Sequence, residues 1–139
     1  MLSKLDYCDT VYYPLPEFQL KRLQRVQLVA ASFDLNRYVN DIKDIVKIGW
    51  LPVRQRRDFH VLTLVHQALY SPSWRSYVPL DTVKHLRSLR SGAATRLIIP
   101  MEKGTFQEST AKLFNVLPAN ITNCSDFKVY CREVNTYLL

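Results

Sequence analysis

Asp41 and Asp44 stand three residues apart, and on a helix they would share a face. A two-metal nucleotidyl-transfer site needs acidic side chains converging on cations about 4 Å apart. These two lie beside Lys43 and Lys47 instead, the setting of an acid-rich first turn with ordinary ion pairs. The chain has no adjacent Asp-Asp pair. His60 and His66 are six apart and fall on different parts of a helix, whereas a zinc-binding helix spaces its histidines by four. They read as surface or interface histidines. Cys8, Cys124 and Cys131 form no C-x-x-C motif, so neither a zinc site nor a disulfide framework is expected. Cys131 falls within an apolar stripe, where a thiol acts as a small hydrophobe. Gly49, Gly92 and Gly104 are too scattered to cradle a phosphate. No catalytic residue, metal site or cofactor is expected.

The basic residues remain as the chemistry of the chain. The formal net charge is +7 over 139 residues, with a sequence pI near 9.5. That balance favours acidic partners, nucleic acid first and an anionic membrane surface second. Three groups stand out. Lys21 and Arg25 occupy one helix face, Arg54, Arg56 and Arg57 crowd a single turn, and Lys84, Arg87, Arg90 and Arg96 form a third cluster. Cations so grouped can contact phosphates, each neutralised phosphate adding counterion release. Trp50, Trp74, Tyr12 and Tyr13 could stack on exposed bases, although a Trp at a helix junction more often plugs a core. A merely solvated basic face competes with a nucleic-acid track.

The elements that must position these groups are helices. After Pro16, Leu20, Leu23, Val26, Ala30 and Phe33 recur at helical spacing and define an inward stripe, with Lys21, Arg25 and Ser32 opposite, Arg22 at the border and Leu28 on the polar face. Ile42, Ile45, Val46 and Ile48 follow the caps Asn40 and Asp41, and Gly49 suits the end of that run. Pro52 fits the first turn of a second long helix whose inward stripe is Val61, Leu64, Val65, Ala68 and Leu69. Arg56, His60, Thr63 and Gln67 point away from it, and Arg57 on the edge would have to snorkel. Residues 96–101 read as a short strand. Thr105 and Glu108 match a capping box before Leu113, Phe114 and Leu117. Ser125 would cap a last helix with the stripe Phe127, Tyr130, Cys131, Val134, Tyr137 and Leu138. The fold class is therefore mainly α, a small helical bundle with one short extended segment near residues 95–101. The regions are 1–70 helical, 71–104 a basic linker with the short strand, and 105–139 helical. No apolar run approaches the roughly 20 residues needed to cross a bilayer. The N-terminal stretch lacks the apolar segment of a secretory leader. Reduced thiols fit an intracellular setting, nucleus or cytoplasm. The abrupt, aromatic start from Leu5 to Tyr13 reads as the middle of a larger protein.

An ordered set of short motifs adds to this. Leu5-Asp6-Tyr7-Cys8 is followed by Tyr13-Pro14-Leu15-Pro16, by Leu23-Gln24-Arg25-Val26-Gln27 with Ala30-Ala31, and by Trp50-Leu51-Pro52-Val53 with Arg56 and Phe59. Ala68-Leu69-Tyr70, Tyr77-Val78-Pro79, Leu89-Arg90-Ser91 and Ile99-Pro100 come next. Lys112-Leu113-Phe114-Asn115-Val116-Leu117-Pro118 and Phe127-Lys128 before Tyr137-Leu138 complete the order. In this order the chain resembles the C-terminal part of the reverse transcriptases of non-LTR (LINE-type) retrotransposons of the jockey-like kind. Asp34, Arg57, Thr63 and Leu28 depart from that pattern. The resemblance implies a thumb and C-terminal extension downstream of the polymerase palm. It implies a helical unit holding duplex or RNA–DNA hybrid by its backbone, and no activity of its own. The family's catalytic aspartates and its endonuclease would precede Leu5, so none is carried over. Two functions are expected from different classes. One is a non-sequence-specific nucleic-acid-binding fragment of such a transposable-element polymerase. The other is a drifted helical relic with a structural or protein-interaction role, self-associating through the surface left by the missing palm.

Overall fold

The computed structural model describes residue 6, residues 9–75, residues 80 and 82, and residues 94–139. Lys84, Arg87 and Arg90, three members of the third basic cluster, lie outside the described residues, as does Cys8. The chain is mainly helical. Among the described residues it forms α1 (Glu17–Asp34), α2 (Ile42–Lys47), α3 (Val53–Tyr70), α4 (Pro72–Arg75), α5 (Phe106–Val116), α6 (Ala119–Thr122) and α7 (Phe127–Leu138), with no sheet. It divides into two compact units, Met1–His60 with Leu138–Leu139, and Val61–Tyr137. The boundary falls inside α3 rather than after residue 70.

In the first unit, α1 starts after Pro16 as the periodicity predicts, but it is rotated by about 60° from the expected stripe. Gln27, fully buried, and Ala31 face inward with Ala30, while Val26 is 42% and Phe33 80% exposed. The reason is a pair of glutamines. Gln27 Nε2 donates to the Leu51 carbonyl at 2.8 Å and Gln27 Oε1 accepts from Gln24 Nε2 at 2.9 Å. Gln24 Oε1 then accepts the Val53 N–H at 3.0 Å, one of the orphan amides at the start of α3. Ala31, Val39 and Ile45 form the core here, with Leu28, Leu35, Ile48 and Trp50 packed against it. Trp50 is thus a core plug. Asp41 caps α2 by accepting the Lys43 N–H, and Gly49 takes the positive φ of 77° that a side chain would resist.

The end of α1 is a Schellman turn. The Arg37 N–H donates to the Ser32 carbonyl and the Asn36 N–H to the Phe33 carbonyl. Asn36 takes φ 48°, the left-handed region that Asn tolerates better than most residues. Ser32 Oγ donates to the Leu28 carbonyl and accepts the Val39 N–H at 2.9 Å, tying the turn back onto the helix.

In the second unit, Val61, Leu62, Val65 and Ala68 of α3 are buried, together with Ala111, Phe114 and Leu117 on and after α5 and Tyr130 and Val134 of α7. The capping box is present with one difference. Thr105 Oγ1 accepts the Glu108 N–H, but the Glu108 carboxylate accepts from Gly104 N at 2.7 Å rather than from Thr105. Lys112 also bonds that carboxylate, which with the Gly104 N–H holds it below the usual range. Asp126, not Ser125, caps α7, accepting the Val129 N–H at 2.8 Å. The segment expected as a strand makes one isolated antiparallel bridge, Leu97 with Thr82. Asn115 replaces a partner strand by closing both polar groups of Leu97, from N to Oδ1 at 2.8 Å and from Nδ2 to O at 2.9 Å.

His66 is buried rather than at a surface, set among Tyr70, Phe127 and Tyr130 with ring centroids 4.3–5.6 Å away. Its Nε2 lies 2.9 Å from the Cys124 carbonyl, which can only accept, so Nε2 carries the proton. Burial pushes its pKa below 6.5 despite that bond and the charge of Asp126. The unfolded chain then binds more protons than the folded one as pH falls through 6.5. Stability should be full above pH 6.5 and fall below it, with a limiting slope of about 1.4 kcal/mol per pH unit. Urea midpoints at pH 7 and 5.5 measure this, and His66→Phe should flatten the difference. An equal fall in the variant would remove His66 as the cause.

Candidate nucleic-acid interface

The middle basic group is consumed by structure. Arg57 is 6% exposed, and its Nη2 donates to the carbonyls of Asp9 at 2.7 Å and Tyr12 at 3.1 Å. It does not snorkel. Its guanidinium also stands 6.0 Å from the centre of the Tyr13 ring, within cation–π reach. Arg56 grips both oxygens of Asp6, and Arg54 pairs with Glu17. Burial alone would raise the Asp6 carboxyl, but the bond and charge of Arg56 more than offset it and leave it below the usual range. Tyr13 donates to Asp58 Oδ1 at 2.9 Å, and burial with the Asp58 charge pushes the phenol well up. Burial likewise raises Asp58, against the Tyr13 bond.

These contacts fasten Asp6 and residues 9–13 onto the first two turns of α3. His60 joins them, its Nδ1 2.6 Å from Asp9 Oδ2. Asp6, Asp9 and His60 therefore bring metal-ligand atom types within 4.8 Å of one another. A cation there would have to displace Arg56 from Asp6 and break the contact between His60 and Asp9. The group serves as a latch, which sequence spacing could not reveal because its members lie about fifty residues apart.

The first basic group has a different fate. Lys21, Arg22 and Arg25 are exposed on α1, and no ion pair joins them to an acid among the described residues. Elsewhere in this unit Arg37 and Lys47 share Asp44, each at 3.2 Å. The rotation of α1 places Arg25, Phe18, Val29, Arg22, Phe33 and Val26 within an arc of about 100° on its outer side, with Lys21 adjoining Arg25. The result is a strip of cations interleaved with exposed apolar side chains. Arg96 in the second unit is exposed and also lacks an ion pair among the described residues. Of the aromatics, Tyr12 and Trp74 are exposed, whereas Trp50 and Tyr13 are engaged.

Sequence reasoning gave Arg22 a border position and missed Phe18, Phe33 and Tyr38 as surface residues. A signal was present in Leu35-Asn36, since Asn just past a helical run marks a left-handed cap. Comparison of the chain with protein-family models, curated proteins and solved structures finds no match in any of the three. No helix among the described residues is long and apolar enough to cross a membrane.

Proposed function

We propose that this chain is a nucleic-acid-holding module, the thumb-like part of a reverse transcriptase of the non-LTR retrotransposon kind that its motifs resemble. It holds the phosphate backbone without reading sequence and works inside the cell, in the nucleus or cytoplasm. The observation that carries this reading is the segregation of charge in the first unit. Arg37, Lys47, Arg54, Arg56 and Arg57 are matched to acids or carbonyls; of the cations with no ion pair among the described residues of this unit, Lys21, Arg22 and Arg25 stand together on the outer side of α1 and Lys43 stands alone on α2. Cations placed so can release counterions from a polyanion without first breaking an internal pair. On this reading the chain does no chemistry of its own, and the polymerase aspartates belong to another part of the parent enzyme.

Fluorescence anisotropy with a labelled duplex across a salt series tests it. The log affinity should fall steeply with log salt, by about 0.9 per contacted phosphate. Replacing Lys21, Arg22 and Arg25 with alanine should flatten that slope by up to about three such steps, whereas Arg54→Ala should leave it unchanged. A salt-independent affinity, or no binding at low salt, would sink the proposal.

A second reading is favoured by the exposed apolar residues of the same unit, among them Val11, Tyr12, Phe33 and Tyr38. Patches of this kind mark protein contacts, and a relic helical protein would use them to self-associate. Light scattering separates the two, since a monodisperse monomer with salt-sensitive binding excludes the second.

A further inference from the structure

The cations of α1 account for a grip on phosphates, but not for the aromatic side chains among them. A surface that only meets the sugar–phosphate backbone of a duplex gains nothing from exposed phenyl rings. Yet Phe33 and Tyr38 are among the most exposed large side chains described, at 80% and 84%. Both line one open groove of about 440 Å³, completed by Val29, Ser32, Asn36 and Arg37. The Schellman turn builds this groove by reversing the chain at Asn36, so that Tyr38 returns beside the last turn of the helix. Arg37 is held to Asp44, and Ser32 is occupied by Leu28 and Val39. The Asn36 side chain has no hydrogen-bond partner among the described residues, which leaves an amide with both donor and acceptor at the groove.

Resting on the backbone-holding reading above, we propose that the groove between Phe33 and Tyr38 receives an unpaired nucleobase, so that the preferred ligand is a duplex carrying a single-stranded overhang. Flat aromatic faces stack bases of any identity, consistent with a module that does not read sequence. The polar edge of a base meets the Asn36 amide. From Arg22 to Phe33 the helix rises about 16 Å. That is about five nucleotide steps at roughly 3.4 Å per step along one strand. One strand can therefore lie on Arg22 and Arg25 and reach the groove with a base beyond the paired region.

Charge decides against a second copy as occupant. Antiparallel pairing of two α1 strips would bring Arg22 and Arg25 against their own counterparts. The nearby acids cannot compensate, because Glu17 is paired with Arg54 and Asp34 projects from the opposite side of the helix. The cations demand an anionic partner, and the flat rings suit a planar one.

The experiment compares a blunt 16-bp duplex with the same duplex carrying a six-nucleotide overhang, at equal salt, by anisotropy. The overhang should tighten binding roughly tenfold, as expected for stacking a base on an aromatic ring. Phe33→Ala and Tyr38→Ala should each remove most of that gain while leaving blunt-duplex affinity within twofold. Phe33→Trp should keep it. Both side chains project into solvent, so folding is not at stake. Equal affinity for the two probes, or a gain that survives both alanine variants, overturns the inference. If the blunt duplex still binds with a steep salt slope, the backbone-holding reading stands. If neither probe binds at low salt, both fail. Capture of an acidic helical peptide with no preference for the overhang would give the groove to a protein partner and also overturn it.

Discussion

Replacing Arg57 with alanine is expected to destabilise the chain by about 3 kcal/mol, the scale for removing one partner from a buried charged network. The guanidinium sits buried, with Nη2 between the carbonyls of Asp9 and Tyr12. Without it those carbonyls lose their donor and a cavity opens beneath the 9–13 segment. The negative charges of Asp9 and Asp58 also lose a nearby cation. Burial already disfavours the charge on Arg57, so the side chain is held there by its bonds and not by an easy environment. Arg57→Met separates the causes. It retains most of the packing stem but no donor, and should recover only the cavity part of the loss. A urea series measures both, the alanine variant moving the midpoint by roughly 1.5 M for an m near 2 kcal/mol/M. A loss below about 0.5 kcal/mol would mean that the guanidinium is solvated and the latch does not exist.

Arg57 also marks where reading the sequence stops. An apolar-periodic helix offers only one explanation for an arginine at the edge of its stripe, a long stem bent out to water. The true solution is a partner made by backbone carbonyls some 45 residues earlier, which no periodicity encodes. Features fixed locally were legible. The start of α1 after Pro16, the Asp41 cap, the positive φ at Gly49 and the Thr105–Glu108 pairing follow from residues a few positions apart. The strand at residues 96–101 was half legible. Its β-branched run is extended, but a strand needs a neighbour, and Asn115 takes that place with a side chain. The candidate interface was legible as charge and not as position. Counting cations found Lys21 and Arg25 as readily as Arg56 and Arg57. Only distant acids and carbonyls decide which of them remain available, and the distant partners of Gln27 decide the face on which Phe33 emerges.

Gln27→Ala should cost about 2–3 kcal/mol, and its consequences reach the candidate interface. The amide is fully buried and does two things at once, donating to the Leu51 carbonyl and accepting from Gln24. Truncation leaves the buried Leu51 carbonyl and the half-buried Gln24 amide without it, and Gln24 is then less constrained to cap Val53. Gln27→Leu tests whether volume or bonding matters. If packing dominated, leucine would restore stability. We expect it to do no better than alanine, because an apolar side chain against two unsatisfied polar groups keeps the full desolvation cost. Gln27→Glu adds a signature that volume loss cannot imitate. Its carboxylate still accepts from Gln24 but repels the Leu51 carbonyl, so the variant should regain stability as pH falls through the carboxyl range, relative to wild type over the same range. A double-mutant cycle with Gln24→Ala should give a coupling of about 1 kcal/mol, while two independent contacts would simply add. Gln27 is also what turns α1. With leucine there, the stripe through Leu23, Val26 and Ala30 can compete for the core, and the helix can roll Phe33 inward and carry Arg22 with it. Such a variant should lose overhang preference and part of its salt slope together, although it changes no cation and no exposed aromatic residue.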